Sequence, residues 1–119
     1  MVGSAGSWPL VDLDESALAE MCEGDREFEQ ELLETFLTCQ EDAMAQLEAA
    51  LHSRDYEAIR KVAHFTKGGA RSIAAKRLGH LAEGLEYAMS RGCHDEAESL
   101  IAEVEQAYAR LKKLIENRG

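Results

Sequence analysis

The chain has 119 residues and a formal net charge of −10 at pH 7. This length suits a single domain whose core needs neither disulfides nor a structural metal. The acidic charge argues against nucleic-acid binding, because phosphate backbones repel it. No apolar run approaches the roughly 20 residues of a membrane-spanning helix.

Helix-forming residues dominate and there is one proline, so the chain is expected to be all-α. Residues 1–11 are expected to form a flexible N-terminal segment, whose Gly/Ser-rich start is typical of a cloning remnant and not of a signal peptide. Trp8, Leu10 and Val11 are expected to pack across one end of the helices. Residues 12–119 are expected to form the single domain.

The three cysteines, Cys22, Cys39 and Cys93, are widely spaced and form no C-x-x-C pattern. Such thiols are typical of a reducing compartment, which predicts a cytoplasmic protein. Cys39 falls on an apolar stripe and is expected in the core.

A short first helix is expected to start at an N-cap within residues 12–14, to run to about Cys22 and to stop at Gly24. Its apolar side comprises Leu13, Leu18 and Met21. Asp25 is the expected N-cap of a second helix over residues 26–52.

The second helix has a wider apolar arc than one packing seam requires. The expected buried stripe comprises Phe28, Leu32, Phe36, Cys39, Ala43, Leu47 and Ala50. A second apolar set lies at its edge and comprises Leu33, Leu37, Met44 and Leu51, with Gln40 among them. Either the helix is buried on two sides, or this edge is exposed for a partner.

Asp55 is the expected N-cap of a third helix that ends near Ser72, and a fourth helix is expected over residues 75–90. Asp95 and Glu98 form a capping-box pattern at the start of a fifth. Short connections make sequential helices antiparallel neighbours. The predicted fold is therefore an up-down-up-down four-helix bundle with a short extra N-terminal helix.

The third helix has one apolar and one polar face at about 100° per residue. His64 lies in the middle of the polar face and is expected to be exposed. Four cations surround it in an otherwise acidic protein: Arg60, Lys61, Lys67 and Arg71. A basic surface on an acidic molecule indicates that an anion is handled there.

Two consecutive glycines interrupt the third helix, although glycine in a helix interior costs roughly 0.5–1 kcal/mol relative to alanine. Gly69 faces inward, where close helix packing explains it. Gly68 faces outward beside His64, where packing does not explain it. The missing side chain at Gly68 leaves room for a bulky group on the imidazole.

The segment His64-Phe65-Thr66-Lys67-Gly68-Gly69 resembles the H-x-x-K-G-[small] motif of histidine phosphotransfer (HPt) domains. Leu78, Leu81, Leu85 and Glu86 are similar to the L-x-x-L-x-x-x-L-E run of the family's next helix. The resemblance implies that His64 accepts a phosphoryl group from a receiver-domain aspartate and passes it to another. Ala74 departs from the glycine that the family usually has in the turn after the motif helix.

The chemistry of these residue types agrees with that role. A neutral imidazole attacks phosphorus through its lone pair and needs no general base. Lys67, one turn on, is expected to stabilise the charge of the transferred group. Gly68 is expected to give access. No cofactor is expected on this chain, and magnesium is expected on the partner receiver.

Partner binding is expected at two sets of residues. The cations Arg60, Lys61 and Arg71 either steer an acidic receiver or form an ordinary solvated face. The edge of the second helix either docks the receiver or belongs to the core; its members in this prediction are Leu33, Leu37, Gln40 and Met44. The expected partners are response-regulator receivers and a hybrid sensor kinase, and the chain is expected to be a monomer.

Other chemistries lack their residues. There is no P-loop, no G-x-G-x-x-G and no Glu-x-x-His pair, so neither ATP-dependent autophosphorylation nor a di-iron bundle is expected. The prediction is a phosphocarrier and not an enzyme. The alternative is an adaptor bundle that binds partners through an exposed apolar edge without phosphoryl chemistry.

Overall fold

The structure, a computed structural model, describes residues 10–118. The described chain forms five α-helices and one short 3₁₀-helix, and it contains no strand. The α-helices are α1 (Glu15–Met21), α2 (Arg26–His52), α3 (Tyr56–Ser72), α4 (Lys76–Ser90) and α5 (Ala97–Glu116), and the 3₁₀-helix spans His94–Glu96. No helix in this part of the chain is long and apolar enough to cross a bilayer.

The four long helices form the predicted all-α bundle. α3 packs between α2 and α4, and α5 closes the ring against α4 and α2. Three-residue turns join α2 to α3 and α3 to α4, which is consistent with the up-down order. The fully buried aliphatic side chains come from every α-helix and from the α3–α4 turn: Leu18, Leu33, Leu47, Ile59, Ile73, Leu78, Leu85, Ile101, Leu111 and Ile115.

Aspartates cap three helices by accepting a hydrogen bond from a first-turn backbone N–H. Asp14, Asp25 and Asp55 each do so at 3.1 Å. The predicted cap at the fifth helix is wrong, because Asp95 lies in the 3₁₀-helix and no side chain caps α5.

The buried side of α2 differs from the predicted stripe. Leu33, Gln40 and Met44 are buried, whereas Phe28 and Cys39 are exposed. The actual seam steps by three and four residues through Glu29, Leu33, Phe36, Gln40, Ala43, Leu47 and Ala50. Gln40 is hydrogen-bonded to Thr66 and Glu29 is paired with Arg118, although the buried Oε2 atom of Glu29 has no partner among the described residues. The seam has Glu29, Leu33 and Gln40 where the predicted stripe has Phe28, Leu32 and Cys39. Met21 of α1, also predicted to be apolar and inward, is exposed.

Glu29 occupies an inward position because Arg118 reaches it. The Arg118 guanidinium lies 2.6 Å from Glu29 and 3.1 Å from Glu15, and its side chain is only 6% exposed. It also donates to Gln30 at 2.9 Å. This cluster joins the residues after α5 to the N-terminal ends of α1 and α2.

Ala74 adopts the left-handed conformation, with φ of 62°, at the position where the family usually has glycine. The Ala75 N–H donates to Ala70 O at 2.9 Å and closes the C-terminus of α3, as in a Schellman motif. The Ala74 carbonyl accepts from the Asp14 N–H at 2.9 Å. Alanine therefore preserves the turn, which also anchors the start of α1.

The N-terminal segment predicted over residues 1–11 falls mostly outside the described residues, and so does Trp8. Val11 is exposed, and its carbonyl accepts a hydrogen bond from the Arg77 N–H at 3.0 Å. Asp12 binds Arg77 and Arg110, both at 3.1 Å. These contacts hold residues 11 and 12 against α4 and α5.

Candidate functional site

His64 lies on the outward face of α3, and its side chain is 67% exposed. Its Nδ1 atom lies 2.8 Å from Glu86 Oε2 on α4. A carboxylate accepts a hydrogen bond, so this contact places the ring proton on Nδ1. The lone pair is then on Nε2, and the imidazole can act as a nucleophile through that atom.

Glu86 binds two residues of α3 at once. Lys67 Nζ lies 2.6 Å from Glu86 Oε1, while His64 binds Oε2. The Lys67 hydrogen bond lowers the pKa of Glu86 most, and the His64 hydrogen bond lowers it further against the opposing effect of partial burial. The carboxyl is thus an anion at neutral pH, and it holds both the imidazole and the ammonium in place.

The two glycines of the motif occupy the predicted environments. A Cβ atom added at Gly68 would meet nothing within 4 Å, so the surface beside His64 is open. A Cβ at Gly69 would lie 2.9 Å from Gln40 Nε2 and 3.3 Å from Phe36. Gly69 therefore permits the close approach of α3 to α2.

Gln40 is 1% exposed and does not reach the surface. Its Oε1 atom accepts a hydrogen bond from Thr66 Oγ1 at 2.7 Å. The prediction that Gln40 contacts a partner directly is therefore wrong. The residue instead satisfies a buried hydroxyl and fixes α2 against α3.

Two of the three predicted steering cations are engaged within the molecule. Arg60 lies 2.6 Å from Glu57, and Arg71 lies 3.0 Å from Glu83. Lys61 is exposed and forms no ion pair with the described residues. The surface around His64 is therefore a mixture of paired charges with one unpaired cation.

An apolar groove lies between α2 and α3 at Phe65, the residue after His64. It is lined by Leu32, Thr35, Phe36, Cys39, Phe65 and Gly69 among others, and we call it the α2–α3 groove. Phe65 follows His64 directly and is 54% exposed. The space beside Phe65 continues along α2 as a depression of about 490 Å³ that Lys61 also lines.

The groove corrects the predicted docking edge. Leu33 and Met44 are buried in the bundle, so they are unavailable to a partner. Leu37 is partly buried against the core, and its carbonyl accepts from Tyr108 Oη at 3.2 Å. The groove is lined instead by two residues of α2 that were predicted to be buried: Cys39, which is exposed, and Leu32, which is partly buried.

Sequence reasoning did not assign a role to Glu86 or to Phe65. Glu86 follows the inward Leu85 and therefore lies at the edge of α4 that faces α3, which the helical period could have indicated. Phe65 is an aromatic residue at the border between the polar and apolar faces of α3 at about 100° per residue, and this signal was present in the sequence. The described residues contain no group of three or more acidic, histidine or cysteine side chains that could hold a metal ion.

Comparison with known proteins agrees with this geometry. The model of the Hpt domain matches residues 31–114. Histidine-containing phosphotransfer protein B from Pseudomonas aeruginosa PAO1 has a similar structure, with a TM-score of 0.83 and 32% identity over 90% of this chain and 93% of that one. No curated protein matches this chain significantly.

The chain therefore belongs to the Hpt domain family. Its members carry phosphoryl groups on histidine in two-component signalling and are not kinases. This confirms the predicted family and the helical-bundle fold.

Proposed function

We propose that this protein relays a phosphoryl group between receiver-domain aspartates, with His64 as the acceptor. The observation that supports this most directly is the His64–Glu86 hydrogen bond of 2.8 Å. It occupies Nδ1 and leaves the Nε2 lone pair for phosphoryl transfer, on a side chain that is 67% exposed, and the surface at Gly68, one turn on, is open. Family membership supports the same residue, since His64 begins the matching motif.

In the forward step, Nε2 attacks the phosphorus of a receiver aspartyl phosphate. The P–N bond forms as the P–O bond to the aspartate breaks, and the aspartate leaves as a carboxylate. Nδ1 keeps its proton, so the phosphorylated ring is cationic and the Glu86 anion balances it. The same step in reverse delivers the group to the aspartate of a second receiver.

Lys67 supplies positive charge to the transferred group. The charge on the phosphoryl oxygens spreads in a loose transition state, and a positioned ammonium stabilises it. In the unphosphorylated protein Lys67 binds Glu86 at 2.6 Å. We propose that Lys67 turns from Glu86 to the phosphoryl oxygens during transfer.

The α2–α3 groove is the proposed docking surface for the receiver. Its lining includes the exposed Phe65, which follows the nucleophile in sequence, and the partly buried Leu32. Lys61 is exposed and available to meet an acidic pocket. The receiver is proposed to supply the magnesium ion. A hybrid sensor kinase is a further proposed partner, and the protein is proposed to act as a cytoplasmic monomer.

An adaptor function without phosphoryl chemistry would also use the groove. It does not explain why one carboxylate fixes both an exposed imidazole and a lysine. The phosphocarrier is therefore the better proposal.

The test is incubation of the protein with a phosphorylated receiver, followed by treatment with acid and with alkali. We expect label that survives alkali and is lost in acid, as phosphohistidine is, and no label in His64→Gln. The variant should keep its helix content and melting temperature, because His64 is exposed. Labelled, folded His64→Gln protein would show that the acceptor is elsewhere.

A further inference from the structure

The turn of α3 that carries His64 presents its side chains in four directions. Phe65 lines the α2–α3 groove, and Lys67 binds Glu86 of α4. Thr66 is fully buried in the bundle. At about 100° per residue, Thr66 and His64 lie on nearly opposite sides of the helix. A contact that holds Thr66 therefore also fixes the direction in which His64 points.

Gln40 of α2 makes that contact. Its Oε1 atom accepts the hydrogen bond of 2.7 Å from Thr66 Oγ1. Its Nε2 atom lies against Gly69, where an added Cβ atom would come within 2.9 Å of it. Thr66 and Gly69 are three residues apart and lie on the same side of α3. The Gln40 amide is thus held against two positions of α3, and a side chain at position 69 would displace it.

A polar pair stands out at this depth in the seam between the two helices. Gln40 is 1% exposed and Thr66 is 0% exposed, and the other buried residues of α2 and α3, Glu29 apart, are apolar. Apolar contacts are non-directional, whereas a hydrogen bond weakens steeply away from its preferred angle. In a coiled coil, one buried polar residue can specify the register at a cost in stability. The Gln40–Thr66 bond can likewise specify the rotation of α3 against α2.

The surroundings of His64 tolerate little rotation of α3. A side chain reaches about 5–6 Å from the helix axis, so a rotation of about 10° moves its tip by about 1 Å. Such a movement would stretch the 2.8 Å bond between His64 Nδ1 and Glu86 Oε2 beyond the usual range of hydrogen bonds. A misplacement of about 1 Å can slow a catalysed step about a hundredfold.

We infer that Gln40 and Thr66 are positioning residues for phosphoryl transfer. Their hydrogen bond selects the rotation of α3 in which His64 meets Glu86 on one side and Phe65 lines the α2–α3 groove on the other. The bond serves orientation more than stability, because replacing both partners of a buried hydrogen bond by apolar groups of the same shape can be neutral or stabilising. The inference rests on the proposed function and adds two buried residues to it.

The test replaces both partners with apolar residues of similar size, in the double variant Gln40→Met/Thr66→Val. We expect a melting temperature equal to or above that of the wild type, and single-turnover transfer from a phosphorylated receiver about ten- to a hundredfold slower. The imidazole ¹⁵N resonances of His64 should show mixed tautomers instead of a proton fixed on Nδ1. Thr66→Ser keeps the hydroxyl and should keep the wild-type tautomer and rate. Both are measured at a temperature at which each variant is folded.

Ile59→Val is the matched control, since it changes a fully buried residue of α3 two turns before Thr66. It should lower the melting temperature and leave the His64 tautomer and the transfer rate unchanged. A double variant with the wild-type tautomer and rate would overturn the inference, and so would an equal loss of transfer in Ile59→Val. A wild type that accepts no phosphoryl group would refute the proposed function. The tautomer, which is read without a phosphoryl donor, would still show whether the pair orients His64.

Discussion

At the scale of single residues, the sequence predicted the phosphotransfer motif with His64 and Lys67. It did not predict that Glu86 orients the His64 imidazole. His64 and Lys67 share one helix face, so their proximity follows from the helical period alone. Glu86 lies 22 residues from His64 in sequence, and the bond forms only because α3 and α4 pack side by side. Which residues of two helices touch depends on the rotation of each helix about its axis, and the apolar pattern defines that rotation only approximately. The proximity of His64 and Lys67 is defined directly, because they are three residues apart on one helix.

Glu86→Ala should slow phosphoryl transfer by about ten- to a hundredfold, the size of effect that follows when a carboxylate that orients a metal-binding histidine is removed. Without the carboxylate, the ring loses its fixed tautomer and the phosphorylated ring loses its counter-charge. Glu86→Gln keeps an oxygen for the Nδ1–H but not the charge, and it should fall between the wild type and alanine. Single-turnover transfer from a phosphorylated receiver measures the rates.

The imidazole ¹⁵N resonances of His64 distinguish a loss of ring orientation from a loss of fold stability. Nδ1 of His64 should be the protonated nitrogen in the wild type and in Glu86→Gln. In Glu86→Ala the tautomers should mix while the melting curve changes little. Unchanged tautomers together with slow transfer would assign Glu86 a purely electrostatic role.

At the scale of elements, α3 and α4 were predicted well because their inward positions are apolar or small. The buried side of α2 was predicted less well, because two polar residues lie inward: Glu29 pairs with Arg118, and Gln40 accepts a hydrogen bond from Thr66. A polar residue at a seam position cannot be recognised without knowing its partner, and both partners lie on other segments of the chain. Three of the residues predicted to contact a partner, Leu33, Gln40 and Met44, consequently lie in the core.

The position of the docking surface can be tested with one substitution in the α2–α3 groove, at Phe65 of α3, and one in the predicted edge of α2, at Leu33. Phe65→Ser should weaken receiver binding by about 1–2 kcal/mol and leave the melting temperature nearly unchanged, because an exposed aromatic is removed. Leu33→Asp should destabilise the fold by about 4 kcal/mol or more, because it buries an unpaired charge. Calorimetric titration and thermal melts measure the two effects.

The matched control for Phe65→Ser is Tyr87→Ser, which removes another exposed ring from α4 and should leave receiver binding unchanged. If Leu33→Asp folded normally but bound the receiver weakly, the result would instead support the predicted docking edge of α2, in which Leu33 contacts the receiver.

At the scale of the whole molecule, the bundle includes one acidic pair between α2 and α5. Burial and a hydrogen bond with Glu48 raise the pKa of Glu105 to about 7. The folded protein therefore holds this proton more tightly than the unfolded chain, in which a glutamate titrates near 4.3. Stability from this pair is present at acid pH and is lost as the pH rises towards 7.

Glu105→Gln should consequently stabilise the protein by about 1 kcal/mol at pH 8, a value reduced for solvent screening, and have little effect at pH 4. Urea denaturation at both pH values measures the difference. Glu103→Gln removes an equal charge from the exposed side of α5 and is the matched control. An equal gain from both variants would show that net charge, and not the Glu48–Glu105 pair, is responsible.

The carboxylates around His64 affect how long the protein stays phosphorylated. Glu57 and Glu83 are bound to arginines, and Glu86 keeps its hydrogen bond to Nδ1 of the His64 ring when Lys67 turns to the phosphoryl oxygens. All three are thus engaged, and we expect none of them to activate a water molecule against the phosphorylated ring. Hydrolysis then proceeds without a catalytic base, while transfer to a docked aspartate needs none. We expect the phosphorylated protein to persist until it meets a receiver, so that the fate of the signal is decided by encounter and not by decay.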